Sequence, residues 1–193
     1  MCFLADWSIH WEALSAIGTL LAVVLALGTT VYIEVKDYRR RKVEVRSMAS
    51  ALHFEFEANR LAILSEIKAF EATPKALLNM PNGHRVNGIV SRKRLLTLSE
   101  GLKRARFSVL RSVAGRIALF DQGDAIRLGM VMAAATAFEE NQNLGEEDIR
   151  SMDDEHAQGL EGSMRTWAVS IATMLEPASK RMATIAKVGP QQQ

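Results

Sequence analysis

Residues 13–33 read ALSAIGTLLAVVLALGTTVYI, 21 positions from Ala13 to Ile33 without one charged side chain. A helix rises ~1.5 Å per residue, so this stretch makes a rod of about 30 Å, the thickness of a bilayer's hydrocarbon core. Core helices of soluble proteins seldom run so long without charge. The flanks point the same way. Trp7 and Trp11 precede the run and Tyr32 and Tyr38 lie at its other end, as amphipathic rings at the membrane interface tend to. A transmembrane helix is therefore expected over 13–33.

Secretory signal peptides begin with positive charge and have a shorter apolar run, whereas here Asp6 and Glu12 precede the stretch with no Lys or Arg. Ala26 and Gly28 are small enough for a cleavage site, but the charge pattern is reversed, so the span is expected to remain as an anchor. Lys36, Arg39, Arg40, Arg41, Lys42 and Arg46 follow it at once. Basic loops stay in the cytoplasm, which makes the first five of these residues the topology determinants and puts the N-terminus outside. The expected division is a short extracytoplasmic segment at 1–12, the span at 13–33, a cytoplasmic helical bundle at 34–188 and a disordered tail at 189–193. The expected location is the cell membrane, the inner membrane in a bacterium, with the lipid bilayer as first partner. Gly18, Ala22 and Ala26 recur every fourth residue and share a face on which a second helix can approach closely. This is the candidate self-association face.

The rest of the chain reads as all-α. No Gly or Pro falls between Thr29 and Thr73, so the spanning helix is predicted to continue into the cytoplasm. Met48, Leu52, Phe56, Ile63, Ile67 and Phe70 recur at helical steps, with Phe54, Leu61 and Leu64 as a second apolar face. Apolar character on two sides predicts packing among several neighbours. Thr73 and Pro74 read as the start of a short helix that stops at Asn79–Gly83. A polar loop to Gly88, a helix over 91–98, a break at Ser99–Gly101 and a helix burying Leu102, Val109, Leu110, Val113, Ile117 and Phe120 are expected next. Gly123 then ends one helix and Asp124 caps another. Ile126, Met130, Ala133 and Ala137 share the face predicted to be buried there. In the last helix Ala157, Leu160, Met164, Trp167, Ile171, Met174, Ala178, Met182 and Ile185 follow coiled-coil-like spacing, with a kink expected at Pro177.

The formal net charge is only +2, so electrostatic readings must be local. Residues 85–116 hold nine Lys or Arg against Glu100, a local +8, and residues 121–161 hold eleven acids against Arg127 and Arg150, a local −9. An up-and-down bundle would set these blocks beside each other. Arg92, Lys93, Arg94, Lys103, Arg104 and Arg106 are then expected to face Glu139, Glu140, Glu146, Glu147 and Asp148. The basic block lacks a helix-turn-helix, zinc-finger or aromatic stacking signature, so nucleic acid is not expected as a partner.

Cys2 is the lone cysteine and has no partner for a disulfide or a zinc site. His53, Glu55 and Glu57 are not spaced to match Asp153 and His156 in a carboxylate-bridged bundle site. No phosphate-cradling Gly-rich loop, nucleophile elbow or zinc-protease helix is present. No catalytic residue, metal, cofactor or small-molecule substrate is therefore expected. The function expected from these features is a membrane-anchored helical interaction or scaffold module that self-associates or joins an envelope partner. The alternative is a membrane-perturbing effector of phage or defence type, acting through an oligomerised span.

Overall fold

The computed structural model describes residues 4–72, 83–141 and 146–187, with side chains described over 15–72, 92–140 and 147–187. Among the described residues every regular element is helical: α1 (Leu4–Ala72), α2 (Gly83–Leu102), α3 (Ser108–Val113), a 3-10 turn (Ala114–Leu119), α4 (Gln122–Asn141), α5 (Glu146–Ser151) and α6 (Asp154–Lys187). The short helix expected after Thr73 and the tail at 189–193 lie outside the described residues. The chain divides into two units, 1–44 and 45–193.

In the first unit the side chains from Ser15 to Val43 are all exposed. One helix here is long and apolar enough to cross a membrane; its most apolar 18-residue window reaches a mean hydropathy of 2.1.

The second unit has a continuous core. From α1 it takes Met48, Leu52, Phe56, Asn59, Ile63, Ile67 and Phe70, a row at steps of four and three. Fully burying side chains such as Leu52, Phe56 and Ile63 contributes about 1.5–3 kcal/mol each. Asn59 is the polar member, and its Nδ2 donates to the Arg106 carbonyl at 2.8 Å, which gives the buried amide a partner. The second apolar face expected on α1 is not covered. Phe54 is 70% exposed and Leu61 55%, and only Leu64 packs against the core.

α2 corrects the expected boundaries. It runs unbroken through Ser99 and Gly101, both buried, and ends at Leu102. A Cβ at Gly101 would run into the Glu66 carboxylate, so the glycine leaves room for that side chain against α2. The chain then turns through Lys103–Arg106, and Ala105 and Phe107 enter the core. The single helix expected from Leu102 to Phe120 is instead a turn, the short α3 and the 3-10 segment. Phe107, at the α3 N-cap, makes no side-chain cap. Glu55 of α1 supplies what is missing, taking the Val109 and Leu110 N–H groups at 2.6 and 2.8 Å. Unsatisfied first-turn N–H groups attract a carboxylate both as acceptors and through the helix dipole.

Phe120 adopts an extended backbone, and α4 begins at Gln122. Gly123 thus lies inside α4 rather than ending a helix, and Asp124 turns inward instead of capping. The buried face of α4 is Asp124, Leu128, Val131, Ala135 and Phe138. Ile126 and Met130, expected inside, are each 57% exposed. α6 continues through Pro177 as one helix and buries Ala157, Met164, Ala168, Ile171, Ala172, Leu175, Ser179 and Met182. Leu160, Met174, Ala178 and Ile185 are partly buried against this core, while Trp167 is exposed.

Pairings fix the helix directions. His53 meets Ser179, Arg60 meets Glu176 and Glu71 meets Arg165, so α1 and α6 run antiparallel. Arg94 stacks on Phe70 and Arg104 reaches Glu66, so α2 runs against α1. α6 packs on both α2 and α4.

Candidate functional site

Three groups of residues carry the chemistry that this chain offers. The first lies on α1 in the first unit. Gly18, Ala22 and Ala26 are exposed, and among the described residues nothing outside its own helical turn lies within 4 Å of the Gly18 Cβ position. The hydroxyls of Thr19, Thr29 and Thr30 donate to the carbonyls of Ser15, Ala26 and Ala26 at 2.8–2.9 Å. Such intrahelical acceptors satisfy the hydroxyls without water. Lys36, Arg39, Arg40, Arg41 and Lys42 are exposed just beyond, and Lys42 Nζ lies 5.9 Å from the Tyr38 ring.

The second group is a polar seam between α1 and α6 that no sequence motif announces. His53 Nδ1 lies 2.9 Å from Ser179 Oγ and 3.2 Å from the Ser179 carbonyl oxygen. A carbonyl only accepts, so this geometry fits the tautomer with its proton on Nδ1. Ser179 Oγ then donates to Glu57 Oε2 at 3.4 Å. Glu57 also takes two hydrogen bonds from Arg60, at 2.8 and 3.3 Å, which hold its carboxyl below the usual glutamate range. The same bonds raise Arg60 in turn. Glu176 receives Lys180 at 2.6 Å and is lowered by that bond above all.

The residue types are those of a nucleophilic triad, but the connections are not. In a triad the carboxylate orients the histidine and the histidine takes the hydroxyl proton. Here the carboxylate receives the hydroxyl directly, and Ser179 is buried in mid-helix. The seam clamps α1 to α6.

The third group is the pair of charged blocks. Arg92 reaches Asp154 at 2.7 Å and the Met152 carbonyl at 2.6 Å, Arg94 reaches Glu161 at 3.3 Å, and Arg111 pairs with Glu139. The blocks therefore meet, but largely through other residues than the expected set. Arg104 goes instead to Glu66 of α1, Glu139 also accepts the Phe107 N–H at 3.2 Å, and Lys93, Lys103 and Arg106 have exposed side chains. Of the expected facing row, Arg92 and Arg94 reach the first turns of α6, Arg104 reaches α1 and Glu139 takes Arg111, while the Glu146 side chain lies outside the described residues.

Asp153 and His156 sit at the start of α6. Asp153 accepts the His156 backbone N–H at 2.8 Å and its ring Nδ1 at 2.7 Å, and its carboxyl is lowered chiefly by the backbone bond. That is an N-cap. Glu55 and Glu57 are committed to α3 and Arg60, and among the described residues no group of three or more His, Cys, Asp or Glu is placed to hold a metal ion.

No family description, curated protein or solved structure matches the chain.

Proposed function

We propose that this protein is a single-pass, membrane-anchored helical module that works by interaction, with its N-terminus outside and residues 34–188 in the cytoplasm. The single observation that carries this reading is the uncovered apolar stretch of α1 ending in Lys36, Arg39, Arg40, Arg41 and Lys42. An apolar rod of that length with every described side chain facing outward is compatible with lipid, and the basic collar retains its C-terminal side in the cytoplasm. Self-association through Gly18, Ala22 and Ala26 belongs to the same reading, since small residues let helix backbones approach in lipid. The self-satisfied threonines support it. The closed arrangement of His53, Ser179 and Glu57 favours interaction over turnover.

Protease digestion of sealed vesicles tests the topology. With the cytoplasmic face outward, residues 45–187 should be degraded while a tag at the N-terminus is protected. A protected domain, or release of the whole chain by alkaline carbonate, would overturn the reading.

A further inference from the structure

Within the second unit α1 has two apolar faces, and among the described residues only one of them is covered. Ala49, Phe56, Ile63 and Phe70, seven residues apart, are buried in the core. Opposite them Ser47, Ala51, Phe54, Ala58, Leu61 and Ser65 alternate at steps of four and three, and all six are exposed. No charge interrupts this row. Its average spacing is that of a left-handed coiled coil, in which each large side chain enters a hole between four residues of the facing helix. Phe54 and Leu61 are the knobs, and Ala51 and Ala58 leave room for the facing backbone.

The geometry points to a second copy of this chain as the occupant: α1 pairs in parallel with α1 of another protomer along this row. This deepens the anchored, self-associating reading and rests on it. Copies inserted in one membrane the same way point the same way, and confinement there raises their effective concentration. The charges beside the row are compatible with a parallel partner. In that register Glu55 stands across from the position of Ser50, and Glu57 across from that of Ala62, so no carboxylate meets another. Both carboxylates are also occupied within their own protomer, Glu55 by the α3 N–H groups and Glu57 by Arg60.

The test uses the full chain with Cys2→Ser in native membranes, and introduces one cysteine at a time over 47–65 before oxidation. Crosslinked dimer is expected at 51, 54, 58 and 61 and not from Ser170→Cys or Thr173→Cys, which lie exposed on α6. Energy transfer between labelled copies reports association independently of the row. Phe54→Glu with Leu61→Glu, both at exposed positions, should lower the dimer fraction at least tenfold at unchanged helicity. Energy transfer without row-specific crosslinks overturns the row and leaves association by another surface. Absence of both overturns the self-associating reading as well. Crosslinks from the row to a different protein overturn the choice of a second copy.

Discussion

Asp124 keeps 3% of its surface exposed, on the first turn of α4, and is held by two nitrogens of Arg181 at 2.9 Å. Arg181 itself is largely exposed, and its guanidinium is raised by this carboxylate above all. The pair is therefore asymmetric. Removing Asp124 leaves a cation that water can reach, whereas removing Arg181 strands a buried anion with only Arg127, at 3.8 Å, nearby. A hydrogen bond to a charged group contributes about 1.5–3 kcal/mol. Arg181→Met should thus lower stability by an amount in that range, and Asp124→Asn by less, in denaturant titrations of the detergent-solubilised chain. Equal losses would mean that the carboxylate is solvated on opening. Glu57 gives a pH prediction from the same physics. Its folded-state pKa is depressed by Arg60, so its contribution is fully present above the ordinary glutamate value of about 4.3 and is lost as pH falls through the lower folded value. Thermal melts should be level from pH 7 to about 5 and decline below it. Glu57→Gln should reduce that decline. The group is well solvated, so the effect is small.

α4 and α6 differ in what an amino-acid pattern can decide. α6 alternates apolar and polar residues clearly, and its buried face is close to the one its periodicity predicts. It departs where Ala168, Ala172, Leu175 and Ser179 enter the core beside the heptad row, because an undistorted helix drifts about 20° per heptad. α4 is apolar around most of its circumference from Leu128 to Phe138, so periodicity offers two phases of similar merit. Asp124 lies on the buried face with Leu128, Val131, Ala135 and Phe138, and its bond to Arg181 ties that face to α6. That contact joins residues 57 positions apart, and local spacing does not contain it. The same holds for the seam at His53 and Ser179, for Glu55 at α3, and for the glycine inside α2, which reads as a breaker until Glu66 is seen to lie against it. What was legible was the helical class, the apolar run at 13–33 and the core row of α1. Leu128→Ala should cost about 2–5 kcal/mol, the usual loss for a truncated core leucine. Ile126→Lys and Met130→Lys, at exposed sites, should each stay within about 0.5 kcal/mol. The reverse order in urea titrations would restore the other face.

Charge is segregated along the sequence but brought together in the second unit. Arg92 with Asp154, Arg94 with Glu161 and Arg111 with Glu139 join elements that follow one another at a distance of tens of residues. Their energetic weight should follow burial rather than proximity. Arg111 is mostly exposed, so solvent and salt screen its pair, and such pairs contribute about 0.2–1 kcal/mol. Arg94 and Glu161 are both largely withdrawn from water, and the Arg94 guanidinium also lies 4.3 Å from the centre of the Phe70 ring, tying α2 to α1 and α6 at once. A double-mutant cycle with Arg94→Met and Glu161→Gln should give a coupling of about 1–3 kcal/mol that changes little between 0.05 and 0.5 M salt. The cycle with Arg111→Met and Glu139→Gln should give less than about 1 kcal/mol and fade over the same range. If both couplings were small and equally sensitive to salt, the two blocks would be meeting only as solvated surfaces. Helix order would then rest on the apolar core, the seam at His53 and Ser179 and the Asp124–Arg181 pair, and the segregated charges would be free to serve a partner.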